Sequence, residues 1–216
     1  MPVRTLLLIL ILLPILSACA PAIFTGGAAA VAVVHDRRST GTLINDKEIS
    51  LKISNFIQRN KDIKGFSDVS STSFNRRVLL TGAAADAQIS QRIANYAKGL
   101  TEVREVINEI EIHPEYVADV KSTLHDSYIT SQAKLRLFNV KLPTFDPTRV
   151  EVTTYNGSVH LMGMVSQTEG SAAAEMVRYV KGVNRVVKHF EYITLTDPRP
   201  GPGTGPSGSG NLGTIH

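Results

Sequence analysis

Few side chains in this 216-residue sequence could do chemistry, and their spacing narrows what that chemistry is. There is one thiol, Cys19, so neither an intrachain disulfide nor a thiolate cluster for a metal can form. The six histidines (His35, His113, His125, His160, His189 and His216) are scattered, with no pair at metal-ligand spacing. Neither a Gly-x-Ser-x-Gly elbow nor a phosphate-cradling Gly-rich loop occurs. Glu109 and Glu111 alternate as they would along the solvated edge of a sheet, not as a converging acid/base pair. His160 sits inside a strand-like run and reads as an outward-facing polar residue. The expectation is a binding module, not an enzyme, with no metal and no cofactor.

Cys19 is the exception, because its surroundings prepare it for one reaction. A short basic start (Met1-Pro2-Val3-Arg4), an apolar run from Leu6 to Leu16 and small residues before a cut describe an export signal. The run is too short to span a bilayer, which needs about 20 apolar residues. Leu16-Ser17-Ala18-Cys19 resembles a bacterial lipobox, the alternative being an ordinary signal cut nearby with an idle cysteine. The lipobox resemblance implies that signal 1–18 is removed, that the thiol takes diacylglycerol and that the freed amine takes an acyl chain such as palmitate. Several chains anchor stably where one holds only marginally. Ala20 in place of Asp after the cysteine implies, by resemblance to enterobacterial lipoproteins, the periplasmic face of the outer membrane.

The formal net charge is +4, but residues 46–115 carry ten Lys/Arg against ten Asp/Glu, and 116–194 nine against seven. That field is too weak for a dedicated nucleic-acid binder. Residues 19–45 read as the lipidated N-terminus and a tether, Ala22 to Val34 being small and apolar; a leash is favoured over a surface-lying segment. Residues 195–216 read as a disordered tail: from Asp197 on, half the residues are Pro or Gly, which cannot bury enough apolar area to offset ordering entropy.

Between the tails the chain repeats itself. Val78-Leu79-Leu80-Thr81-Gly82 matches Val159-His160-Leu161-Met162-Gly163, and the strand-like runs from Val69 and Val150 precede them. Lys98-Gly99-Leu100-Thr101-Glu102-Val103 aligns with Lys181-Gly182-Val183-Asn184-Arg185-Val186. Gly82 to Gly99 is 17 residues and Gly163 to Gly182 is 19, which predicts a two-residue slip in the loop or first helical turn. Each copy predicts helix, strand, strand, helix, strand. Ile49, Ile53, Phe56 and Ile57 share a helical face, as do Ile89, Ile93, Tyr96 and Ala97. Asn75-Arg76-Arg77 and Asn156-Gly157 read as hairpin turns. Gly82 and Gly163 end strands where a side chain would intrude, and Gly99 and Gly182 read as helix C-caps. The fold class is α+β: two tandem α-β-β-α-β domains at 46–115 and 124–194, joined by a linker at 116–123. Each has a three-stranded sheet covered on one face by two helices.

The first helix of the second copy is apolar on two sides. At about 100° per residue, Ile129, Ala133 and Leu137 fall within one arc of roughly 80°, and Tyr128, Leu135 and Phe138 fall in another almost opposite. Lys134 and Arg136 flank this second stripe, while the first copy leaves only Leu51 behind its inward face. A water-facing apolar stripe with basic neighbours suits a membrane interface. The alternative is that Tyr128 or Phe138 packs against copy one or the linker.

The Val-x-Leu-x-Gly strand, the Ala-rich helix and the Gly-Val-x-x-Val turn, twice over behind a lipobox, resemble the dual BON-domain outer-membrane lipoproteins, the DolP-like family. The match covers nearly all of 36–194, including Asp36-Arg37-Arg38-Ser39-Thr40-Gly41, Asp126-Ser127-Tyr128-Ile129-Thr130 and Val152 to Gly157. The resemblance implies a non-enzymatic lipoprotein that binds anionic phospholipid through Tyr128, Gln132, Lys134, Leu135 and Phe138. It also implies a role in envelope integrity with links to the division site. The family pattern carries Trp where Tyr128 stands and often Lys-Val for Gln132-Ala133, which implies differently tuned lipid affinity. Asn139 to Pro147, with two prolines, departs from the pattern. The rival expectation is a periplasmic adaptor for the outer-membrane assembly machinery or for regulators of peptidoglycan amidases.

Overall fold

The computed structural model describes residues 36–114 and 120–194, with side chains from Thr123 onward in the second stretch. The signal, Cys19, most of the tether and the tail lie outside the described residues. In chain order the elements are α1 (Thr40–Arg59), a short α2 (Lys61–Lys64), β1 (Ser67–Phe74), β2 (Arg77–Ala84), α3 (Ala87–Lys98) and β3 (Glu105–Ile112). Then follow α4 (Val120–Leu137), a 3-10 turn (Pro147–Arg149), β4 (Val150–Tyr155), β5 (Ser158–Val165), α5 (Gln167–Arg178) and β6 (Arg185–Tyr192). The boundary drawn at 45/46 falls inside α1, and four residues of the segment read as linker belong to α4. The 139–147 segment is tied down by turns after α4, and Phe145 packs on the core.

In each unit the middle strand pairs antiparallel with its hairpin partner and parallel with the strand that follows the crossover helix, giving sheets β1-β2-β3 and β4-β5-β6. Side-chain caps start the helices. Ser39 accepts from the Thr42 amide, Asp86 from that of Ile89, and Ser166 forms a reciprocal capping box with Glu169. Both hairpins turn in two residues with positive φ, Asn75 (52°) and Arg76 (61°), then Asn156 (48°) and Gly157 (71°). Arg77, expected in the first turn, is already in β2. A buried carboxylate from the first helix holds each turn. Asp46 accepts from the amides of Asn75 (2.8 Å) and Arg76 (2.7 Å), and Asp126 from those of Asn156 (2.7 Å) and Gly157 (3.0 Å).

The repeat register differs from the sequence alignment. Helices α3 and α5 and strands β3 and β6 correspond at a constant offset, so the counterpart of Gly99 is Tyr179. The slip is one residue, Ala85, between β2 and the Asp86 cap, where Ser166 follows β5 directly. Gly99 caps α3 with φ −76°, a conformation open to any residue, whereas Gly182 lies beyond the α5 cap with φ +94°. Gly82 (φ +127°) would drive a Cβ into the Asp68 carbonyl, and a Cβ on Gly163 would lie 2.6 Å from the Arg149 carbonyl oxygen.

Each helix pair covers one sheet face: Ile49, Ile53 and Ile93 meet Val78 and Leu80, and Ile129, Ala133 and Val177 meet Val159 and Leu161. The opposite faces pack on each other. Phe74 and Leu79 of the first sheet bury against Met162 of the second, with Ile107 and Met164 at the margin. Polar contacts ring this seam: Thr72 to Thr153 Oγ1 at 3.2 Å, Asn75 Nδ2 to the Glu191 carboxylate at 3.0 Å, and Arg77 donating to the His189 carbonyl at 2.8 Å. The order of layers is helices, sheet, sheet, helices. Strands β2 and β5 are therefore covered on both faces, which is why they read as nearly continuous apolar runs.

This arrangement overturns the outward placement of His160. It is 3% exposed, its ring stacked on that of His189 (centroids 5.3 Å apart, 6° between planes), with Nδ1 3.1 Å from His189 Nε2. Burial, then the charges of His189 and Arg185, push it down to about 4, opposed by Glu111.

The end of the tether also joins the fold. Arg37 reaches across to the second unit, making two bonds to the Glu169 carboxylate (2.9 and 3.0 Å) and one to the Met164 carbonyl (2.7 Å). Burial would raise Glu169, but Arg37 and the Ser166 amide outweigh it and hold the carboxyl below its usual range. Arg38 lies over the Phe74 ring (3.8 Å) and pairs with Asp46 and Asp36.

Candidate functional site

Helix α4 presents the two faces its sequence implies. Ile129, Ala133 and Leu137 are at most 1% exposed and lie on the second sheet. Tyr128 is 56% exposed, Leu135 61% and Phe138 65%, so the outer stripe meets water and not the other domain. Phe138 stands just past the helix, in a turn closed by its amide to the Leu135 carbonyl. Leu124, 68% exposed, extends the stripe by one turn at the N-terminal end. It is left out of the stripe in the sequence reading although it falls within 124–194; its place four residues before Tyr128 is the signal that marks it.

Gln132 is half-buried beside the stripe. Lys134 is not a free cation, since its Nζ lies 3.2 Å from Glu151 on β4. Arg136 is exposed and has no ion pair among the described residues. At the helix start, Gly182 lets the 179–184 loop close on α4: a Cβ there would lie 2.9 Å from His125 Nε2 and 3.0 Å from Ile129 Cδ1. That loop carries the exposed Lys181 and Tyr179, the latter 67% exposed with the Arg178 guanidinium 5.1 Å from its ring.

The first domain has a shorter version of this surface. Ile44 (62%) and Leu51 (63%) are both exposed on α1, one more than the sequence reading allowed. Where Tyr128 stands in α4, counting from the matched Asp46 and Asp126, α1 has Glu48, which pairs with Lys52 at 2.9 Å. A carboxylate in mid-stripe separates the two apolar residues; α4 has an aromatic ring there instead.

Among the described residues no three His, Cys, Asp or Glu side chains are placed to hold a metal ion, and no helix is long and apolar enough to cross a membrane.

The BON domain model matches the chain twice, at residues 45–114 and 125–194. Outer membrane lipoprotein DolP of Haemophilus influenzae is 34% identical over 195 residues, 89% of this chain and 97% of that protein. A 21 kDa hemolysin of Actinobacillus pleuropneumoniae is 33% identical over 159 residues, 73% of this chain and 79% of its own length. An uncharacterized protein of Anaplasma centrale is 31% identical over 125 residues, 57% of this chain and 81% of its own. With two matched domains and similarity running nearly end to end, the chain belongs to the BON-domain family as a dual-domain, DolP-like member.

Proposed function

We propose that the chain is a non-enzymatic lipoprotein, tethered through Cys19 to the periplasmic face of the outer membrane, whose α4 stripe rests on anionic phospholipid and which serves envelope integrity. The single observation that carries the lipid reading is the exposed line Leu124, Tyr128, Leu135, Phe138, with only Ser131 and Gln132 between its halves, on a helix whose other face is committed to a core. Exposed apolar groups in line, with Arg136 and Lys181 nearby, are what an interfacial helix requires.

Magnitudes assign the roles. Fully burying such a side chain gives about 1.5–3 kcal/mol, and half-immersion of four gives on the order of 4 kcal/mol. That corresponds to a Kd of roughly 1 mM, enough to choose a surface but not to stay on it. The acyl chains on Cys19 would supply residence, and α4 would supply orientation and preference for anionic lipid.

The test is sedimentation of an unlipidated form with vesicles of phosphatidylglycerol and phosphatidylethanolamine, against vesicles of phosphatidylcholine alone. Tyr128→Glu is expected to weaken capture on the anionic vesicles about tenfold while leaving thermal unfolding unchanged. Equal capture of the variant and the parent would sink the proposal.

A further inference from the structure

We propose that the groove between α5 and the free edge of β6 is a docking site for an extended acidic segment of another protein, which adds to the second sheet as a short strand. The groove holds about 550 Å³ and is lined on the helix side by Ser171, Ala174, Glu175 and Arg178, and on the sheet side by residues from Val183 to Val186 and by Lys188. Ser171 and Ala174 are small, which leaves room beside the strand for a chain of a few residues.

The strand edge supplies main-chain partners. The Asn184 amide donates to the Gly157 carbonyl, so in this parallel pairing residues 184, 186 and 188 turn their backbone groups toward β5. Arg185 and Val187 then turn theirs away from the sheet. The next outward carbonyl, that of His189, already accepts from Arg77, which fixes the parity and ends the open stretch there. Two residues with outward N–H and C=O, bordered by a groove, are the geometry of strand addition.

Charge selects the occupant. Three cations (Arg178, Arg185, Lys188) line the groove against one acid, Glu175, and that acid is already paired with Arg178 at 3.0 Å. Arg185 and Lys188 have no ion pair among the described residues. The first domain lacks this field: the counterparts of Arg178, Arg185 and Lys188 are Lys98, Glu105 and Asn108, and Glu105 is bound to Arg77 at 2.6 Å. The basic groove belongs to the second copy alone, as the α4 stripe does, but on a different element.

The experiment uses the full-length lipoprotein in detergent micelles and fluorescence anisotropy of a labelled hexapeptide, acetyl-Glu-Val-Asp-Val-Glu-Val-amide. Saturable binding is expected, weakened about tenfold by Lys188→Glu and retained by Lys188→Arg. It should also fall about tenfold when prolines replace the valines, because a proline peptide keeps its charge but cannot donate to the Val187 carbonyl. Tyr128→Glu should leave peptide binding intact, which separates this site from the lipid stripe. Absence of binding, or equal binding of the proline peptide, would overturn the proposal. So would a dimer in sedimentation equilibrium that Lys188→Glu dissociates, which makes a second copy the occupant. Weakened capture of anionic vesicles by Lys188→Glu, with peptide binding unaffected, would also overturn it and assign the cations to the membrane.

Discussion

Acid should loosen the seam between the two sheets, and His160 sets where. In the folded chain His160 is held at about 4, against an ordinary value near 6.5, because its ring is buried on Met162's face of the sheet and faces the charges of His189 and Arg185. The folded state therefore favours the neutral ring. Above pH 6.5 both folded and unfolded chains carry it neutral and its contribution is complete. As pH falls from 6.5 toward 4, the unfolded chain takes up a proton that the folded chain refuses, and stability is lost. A gap of about 2.5 units at 1.36 kcal/mol each comes to roughly 3 kcal/mol, all of it gone by pH 4. The assay is urea unfolding of the protein at pH 7.5, 6.5, 5.5 and 4.5, run beside His160→Gln, which can still meet His189 Nε2 but has no proton to gain. Carboxylates such as Glu169 and Asp36, whose values are also depressed, titrate in both proteins and cancel in the difference. The parent should lose about 2 to 3 kcal/mol more than the variant across this window. Parallel loss in the two would show that His160 does not sit dry between the sheets, and the back-to-back packing would be wrong with it.

Other substitutions probe the remaining joints. Gly99→Ala should be neutral or raise stability by about 0.5 kcal/mol, since its backbone is helical and the nearest atom to a Cβ is 3.4 Å away. Gly182→Ala, at φ +94° against His125 and Ile129, should cost more than about 1 kcal/mol; equal melting shifts for the pair would refute the one-residue repeat register. Arg37→Ala strands the buried Glu169 carboxylate and should cost about 3 kcal/mol in urea unfolding of the second domain. Arg76→Gly relieves a left-handed arginine in the first hairpin and should raise the melting temperature, the gain being about 1 kcal/mol.

Much of the fold was legible because both units bury one face by plain periodicity. The alternation from Val150 to Tyr155, the Asn156-Gly157 turn and the Ile129-Ala133-Leu137 stripe each have one physical reading. The exposed stripe of α4 was legible for the same reason, since a helix can commit only one face to a single sheet. What stayed hidden depends on the other domain. His160 and Met162 point away from their own helices, and nothing within 124–194 states whether water or a second sheet lies there. Gly99 and Gly182 misled because a glycine after a helix suggests a left-handed cap, yet the first takes an ordinary backbone and the second serves a loop three residues farther on. Leu124 was legible too, one turn before Tyr128 on the same face, whereas the reach of Arg37 to Glu169, 132 residues away in sequence, leaves no local trace.

The packing of bare sheet faces on each other also decides where the two copies are free to differ. Both sheets are used up, one face by helices and the other by the neighbouring domain, so a partner can reach only outer helix surfaces and strand edges. Those are the places where the copies diverge in chemistry: Glu48 against Tyr128 on the first helix, Gly99 against Tyr179 after the second, Glu105 and Asn108 against Arg185 and Lys188 along the last strand. At the seam both copies supply complementary surfaces, and the paired Asp46 and Asp126 turn locks are kept in each. The first copy then acts as a rigid backing that keeps the second copy's sheet dry while α4 and the β6 edge face outward. On this view, damage to the seam acts on function through orientation. Breaking Arg37's grip on Glu169 should weaken the preference for anionic vesicles even though neither residue lies on the stripe, whereas Glu48 substitutions should not.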